Sequence, residues 1–282
     1  MLLVHSPRRM AAMSRRLQQQ GRRLGVVPTM GALHEGHLSL IRRAASQNDV
    51  VIVTIFVNPL QFGPREDFAR YPRPLSRDLR LAQAAGADIV FAPSAAAIYP
   101  AGFQTSVEVG ALSQGWEGRA RPGHFRGVAT VVTLLVHLTQ PTNVYVGQKD
   151  YQQALIITRL LHDLRVPCRV RVRPTVREPD GLAMSSRNVF LTPRQRRQAL
   201  ILSRSLRAAR AAIRAGERRA SRLLAAMRRR IRSEPDVRLD GAAIVDAATL
   251  EPQQVLRGRV ALLVAARVGR TRLIDNLLVD VS

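Results

Sequence analysis

The chain has 282 residues, enough for one large domain with a smaller companion and for a sizeable buried core. Apolar residues make up 46% and charged ones 23%, which excludes a disordered polymer, and no segment approaches the roughly eighteen charge-free apolar residues of a spanning helix. Its 44 basic and 20 acidic residues give a net charge of +24, a balance that taken alone points to nucleic acid or acidic lipid.

That charge has a second source. Lys149 is the only lysine, so nearly all the positive charge is Arg, accompanied by abundant Ala and Leu, as a genome-wide codon bias would leave it. Residues 194–232 carry fourteen Arg and one acid, Glu217, between Leu and Ile at helical spacing, with no aromatic residue to stack on a base. They read as a solvated helix face, and no nucleic-acid partner is expected. The first twenty residues lack the apolar run of a signal peptide, so the expected location is cytoplasmic, with no membrane association. A single cysteine, Cys168, excludes an intrachain disulfide and a cysteine-cluster metal site. Its strand-type neighbours mark it as an inert thiol.

In chain order, short apolar runs alternate with amphipathic stretches. Strands are predicted at 24–28, 50–57, 88–92, 143–146 and 168–172, and helices at 38–45, 75–85, 128–138 and 151–164. This βαβ rhythm predicts an α/β fold, a Rossmann-like parallel sheet with helices on both faces and ligands beyond the carboxyl ends of its strands. After about residue 175 come Arg-rich helices over 193–232, then β-type runs at 237–245, 259–268 and 271–274, the last two joined by Gly269 and Arg270 as a hairpin. The expected division is therefore 1–175, Rossmann-like, and 176–282, a smaller α+β domain of helices and antiparallel strands.

Four constellations carry chemistry. The run Val27-Pro28-Thr29-Met30-Gly31-Ala32-Leu33-His34-Glu35-Gly36-His37 leaves a strand and opens a helix, where backbone amides and the positive helix end favour phosphate. His34 and His37 share a helical face there and can donate to phosphate oxygens. The zinc-protease pattern needs one more residue between Glu35 and the second histidine, and no third metal ligand is near. This His-x-Gly-His arrangement resembles the signature of nucleotidyl-transferring Rossmann-like enzymes.

The second constellation, Gly147-Gln148-Lys149-Asp150-Tyr151-Gln152-Gln153, again follows a strand and keeps the one lysine, a compact point charge suited to phosphate. Asp150 can accept from ribose hydroxyls, with Gln153 one turn further on. The third, Gly181-Leu182-Ala183-Met184-Ser185-Ser186-Arg187-Asn188, places two hydroxyls beside a guanidinium as a phosphate clamp, while Thr192 is the better cap for the helix opening at Pro193. The fourth, Phe56-Val57-Asn58-Pro59-Leu60-Gln61-Phe62-Gly63 with Arg70-Tyr71-Pro72-Arg73, sets strand-end amides among apolar residues, as a small hydroxy-acid pocket requires.

Together with Arg121-Pro122-Gly123-His124-Phe125-Arg126-Gly127-Val128, these segments resemble the pantothenate synthetase family in order and spacing over residues 24–191, more weakly beyond. The resemblance implies ATP-dependent condensation of pantoate with β-alanine through a pantoyl adenylate, in a cytoplasmic homodimer. It implies that His34, His37, Lys149 and Arg187 are catalytic. Pro28, Thr29, Met30, Gly147, Asp150, Val176, Met184, Ser185 and Ser186 would join His37, Lys149 and Arg187 around ATP. Met30, Gln61, Phe62 and Gln153 would hold pantoate, and Asn58, Gln61 and Tyr71 are candidates for β-alanine or the second step. Mg²⁺ would accompany ATP, with Asp78 as its candidate protein contact. Arg77 stands where the family commonly has an acid.

Overall fold

A computed structural model describes residues 1–64 and 66–281. The chain divides into two compact units, one of Met1–Gln148 with Gln152–Pro174 and one of Lys149–Tyr151 with Thr175–Ser282.

The first unit is built on six parallel strands, β1 (Leu2–Val4), β2 (Leu24–Thr29), β3 (Val50–Ile55), β4 (Ile89–Phe91), β5 (Asn143–Gly147) and β6 (Arg169–Arg173), in the order β1-β4-β3-β2-β5-β6. The expected parallel α/β sheet is therefore present, with one strand more than the periodicity predicts. β1 adds at the edge beside β4, Leu2 opposite Ile89. It is followed by α1 (Pro7–Gln19), which Ser6 caps by accepting from the Arg9 amide and Pro7 opens.

Alternation along β3 shows why both sheet faces are apolar. Val50 and Ile52 pack on one side with Met10 of α1 and with Val128 and Leu135 of α6 (His124–Thr139), and with Ile156 and Leu160 of α7 (Tyr151–Asp163). Val51 and Val53 pack on the other with Leu40, Ile41 and Ala44 of α2 (Glu35–Ala45) and Ala82 of α3 (Leu75–Ala84), and two short helices, α4 (Ala95–Ile98) and α5 (Trp116–Ala120), follow β4. Two covered faces confine polar chemistry to the strand ends. The order places a switch point at β2 and β5, whose neighbours continue in opposite directions across the sheet.

The second unit is an antiparallel sheet of β7 (Val237–Asp246), β8 (Gly258–Val268) and β9 (Thr271–Val281) carrying α8 (Pro193–Arg214) and α9 (Ala220–Arg232). The predicted hairpin forms, with Val268 opposite Thr271, and β9 runs on to Val281. Thr192 caps α8 in a capping box with Gln195. Leu206, Ile213, Met227 and Ile231 are buried against Val260, Leu262 and Val268, while Arg204, Arg214, Arg228, Arg229 and Arg230 are exposed. The Arg-rich run is thus the solvated side of two amphipathic helices.

One close approach fixes the first unit's site. Gly127 of α6 lies so near the 3₁₀ turn Pro59–Gln61 that a Cβ there would come within 2.2 Å of the Leu60 carbonyl oxygen and 2.6 Å of the Gln61 nitrogen. These are backbone atoms and cannot swing aside. Gly127→Ala should destabilise the protein by about 2–3 kcal/mol, read as a lower urea midpoint with an unchanged slope, and a wild-type midpoint would show that the turn yields freely.

Candidate active site

The β2-to-α2 turn occupies the carboxyl end of the central strand. Thr29 anchors it: its hydroxyl donates to the Thr54 carbonyl of β3 at 2.7 Å and accepts from the Gly31 amide at 3.1 Å. Gly31 (φ +82°) and Ala32 (φ +50°) then take left-handed conformations. What holds them there is Asp78 of α3. Its fully buried carboxylate accepts from the Ala32 and Leu33 amides, each at 2.8 Å. Burial pushes its pKa up, partly offset by those same amides.

His34 is the N-cap of α2 and accepts from the Gly36 amide at Nδ1, 3.1 Å. His37 Nδ1 accepts from the His34 amide at 3.4 Å, and the two ring centroids are 4.1 Å apart. Because both Nδ1 atoms serve as acceptors, each neutral ring carries its proton on Nε2. The arrangement thus holds two half-buried Nε2–H donors side by side at a helix start, a place suited to an anion.

Gln61 follows the end of β3. Its Nε2 lies 3.1 Å from Met30 Sδ and its Oε1 accepts from Asn58 Nδ2 at 3.0 Å. Asn58 is 1% exposed and fully engaged: Nδ2 also donates to the Gly127 carbonyl, and Oδ1 accepts from the Leu60 amide and the Tyr99 hydroxyl. Sequence reasoning offers Asn58 as a substrate contact; the structure makes it the brace of Gln61. Phe62 packs edge-on to Phe68 and to buried Tyr71, at 5.3 and 6.0 Å. Half-buried Gln153 of α7 makes no side-chain hydrogen bond to another described residue. Its neighbour Gln152 is consumed by the Leu112 and Gly115 carbonyls and the Glu117 amide.

The motif Arg121 to Val128 receives no role from sequence reasoning, yet it supports Gln61. His124, 7% exposed, has Nδ1 2.8 Å from the Gln61 carbonyl oxygen and Nε2 2.9 Å from Arg121 Nη1. Arg121 in turn clamps Glu66 with two 2.6 Å bonds. Burial and the nearby guanidinium lower the His124 pKa to about 4. For Glu66, burial acts upward but the bond and charge of Arg121 outweigh it and the net shift is down.

In the second unit, Lys149 Nζ lies 3.3 Å from Asp150 Oδ1, and the Lys149 carbonyl accepts from Asn276 Nδ2 at 2.8 Å. Val176 and Met184 face each other in a short antiparallel pair, the Met184 amide donating to the Val176 carbonyl at 3.0 Å. Arg177 closes it with a bidentate pair to buried Asp275, both bonds 2.8 Å. Ser185 caps the 3₁₀ turn Ser186–Phe190 by accepting from the Arg187 amide, so this serine serves as a cap as well. Ser185, Ser186 and Arg187 are half-buried in succession.

The donor set does not suit a protein-held Mg²⁺. Both Asp78 oxygens are taken by backbone amides, and among the described residues no cluster of three His, Cys, Asp or Glu side chains could hold a metal ion. Cys168 is half-buried, its pKa raised by burial, and lies with Arg23, Arg169 and Arg171 around a cavity of about 780 Å³ at the amino ends of the strands, opposite the histidine turn. No helix among the described residues is long and apolar enough to cross a membrane.

A doubly wound parallel sheet has its ligand crevice at the switch point, and the two histidines that open α2 stand there. The sequence profile of the family described as pantoate-beta-alanine ligase matches residues 2–278, and the chain belongs to that family. The chain is 56% identical to a pantothenate synthetase of Moorella thermoacetica over 265 residues, 94% of each chain. It is 52% identical to that of Heliobacterium modesticaldum over the full length of both. The crystal structure of pantothenate synthetase from Thermus thermophilus superposes with a TM-score of 0.94 at 47% identity, covering 98% of this chain and 99% of that one. A pantoate-beta-alanine ligase from Francisella tularensis, crystallised with beta-gamma ATP and beta-alanine, gives a TM-score of 0.80 at 36% identity, covering 99% and 97%.

Asp78→Asn keeps one acceptor and turns an NH₂ toward the second amide of the histidine turn. It should cost about 2 kcal/mol in chemical denaturation, the penalty of one unpaired buried donor, and an unchanged midpoint would remove Asp78 from this structural role.

Proposed function

We propose that this protein condenses pantoate with β-alanine, consuming ATP and releasing pyrophosphate and AMP, as a homodimer in the cytoplasm. One observation carries the reading: two histidines with their Nδ1 atoms tied to the backbone stand at the switch point, in a turn whose Met30 sulfur meets the braced Gln61. Family membership over nearly the whole chain supports it.

A carboxylate resists attack by an amine until one of its oxygens carries a good leaving group. A pantoate carboxylate oxygen attacks the α-phosphorus of ATP, forming the new P–O bond as the bond to pyrophosphate breaks. His34 and His37 donate to phosphate oxygens as charge shifts onto them, Lys149 and Arg187 offset the charge of the departing phosphates, and the Ser185 and Ser186 hydroxyls donate to their oxygens. Gly147 and Asp150 meet the ribose, while Pro28, Thr29, Met30, Val176 and Met184 line the nucleotide's place. Gln61 and Gln153 grip pantoate, with Met30 and Phe62 against its gem-dimethyl group. The β-alanine amine, beside Gln61 and Tyr71 and having lost a proton, then attacks the acyl carbon and expels AMP. Asn58 contributes through Gln61. Mg²⁺ arrives with the triphosphate, an assignment that leaves Asp78 to its two amides.

The direct test is AMP release with each substrate omitted in turn. AMP should require ATP, pantoate and β-alanine together, and turnover without β-alanine would point instead to a nucleotidyltransferase. Lys149→Arg provides a sharper one. Every other basic position in this chain has become Arg, and a planar guanidinium cannot replace a slim ammonium among phosphate oxygens. The variant should lose at least about 10²-fold in pantoyl-adenylate formation, while supplied pantoyl adenylate reacts with β-alanine at a less altered rate. Adenylation within a few-fold of wild type would make Lys149 an accidental survivor.

A further inference from the structure

We propose that His124, held neutral and oriented by Arg121 and Glu66, is a positioning residue that sets the aim of Gln61 and thereby the affinity for the hydroxy acid; this rests on the reading of Gln61 as a substrate contact.

The directions of the hydrogen bonds leave one arrangement. A guanidinium only donates, so His124 Nε2, 2.9 Å from Arg121 Nη1, must accept. The ring proton is then on Nδ1, which donates to the Gln61 carbonyl at 2.8 Å. Arg121 Nη2 adds a second, longer bond to the same carbonyl at 3.3 Å. Glu66 holds the other edge of the guanidinium in a bidentate pair, and both partners are largely buried. The chain of bonds runs from Glu66 through Arg121 and His124 to the backbone of Gln61.

Gln61 is therefore fixed from two sides, its side-chain oxygen by Asn58 and its main-chain oxygen by His124. Its amide nitrogen donates to Met30 sulfur, a weak acceptor that a substrate hydroxyl or carboxylate would readily displace. Such a group binds best when its geometry is set before the ligand arrives, since no ordering cost remains at binding. A protonated ring could not serve, because it would turn an N–H toward the Arg121 guanidinium. The low pKa of His124 agrees with this, with burial and Arg121 opposing its charge and Gln61, Glu66 and Glu117 favouring it.

The test compares two amides of nearly the same bulk. His124→Asn keeps a donor at the δ position, whereas His124→Gln moves it to the ε position. Pantoate KM should rise about tenfold in His124→Gln and stay within about threefold of wild type in His124→Asn, with ATP KM changed less than about twofold in both. Nitrogen-15 spectra of the wild-type imidazole should show the Nδ1-protonated tautomer from pH 6 to 9. Gln61→Ala, run alongside, should raise pantoate KM; if it does not, the substrate reading of Gln61 falls and the proposal with it. If Gln61→Ala does raise it but the two His124 variants behave alike, or both KM values climb together with lost thermal stability, His124 is only a packing residue. An Nε2-protonated ring would overturn the proposal without reference to activity.

Discussion

A parallel sheet covered on both faces leaves its strand ends as the places where polar chemistry can be exposed, and the first unit of this protein is organised by that constraint. Val50 and Ile52 on one face and Val51 and Val53 on the other commit β3 wholly to the interior. The candidate functional groups gather just past the strands: the histidine turn after β2, Gln61 after β3, and Gly147 at the end of β5. Polar residues bracing those ends are buried and saturated. Asp78 spends both oxygens on the histidine turn, and Asn58 ties the Gln61 turn to the Gly127 carbonyl and the Tyr99 hydroxyl. Each is a scaffold that holds a neighbouring turn in place.

Much of this is legible in the sequence. Continuous apolar runs such as Val50 to Ile55 are what a doubly covered strand requires, and Thr192 followed by Pro193 marks the start of α8 unambiguously. The first strand and helix escaped because three apolar residues before Ser6 are too few to show a period. The signal for α1 was nevertheless present in Ser6-Pro7 and in Met10, Met13 and Leu17 at helical spacing. The site divides in the same way. Histidines at a glycine-rich strand end announce themselves locally, since the chemistry and the spacing lie within one turn. The Glu66, Arg121 and His124 network joins residues 55 positions apart, and local spacing carries no trace of such pairings.

Charge shows the same contrast between global count and local arrangement. A net +24 suggests a polyanion-binding surface, but the arginines of α8 and α9 line the solvent sides of helices whose other faces are packed on a sheet. A few arginines are used quite differently. Arg121 and Arg177 each form bidentate pairs with largely buried carboxylates and fix loops in place. The composition therefore shows a habit of using arginine as the cation, and only the paired minority ties loops in place.

The same habit bears on how the sheet ends. Among the described residues β6 pairs only with β5, and it presents Arg169, Arg171 and Arg173 alternating with Val170 and with Val172, which is 41% exposed. An open strand edge with exposed valine is a template for uncontrolled growth of the sheet by further chains. Three guanidiniums oppose it, because a second copy of this strand laid alongside would bring arginine against arginine. Repulsion between exposed charges is screened as ionic strength rises, so salt is the condition under which this edge becomes adhesive.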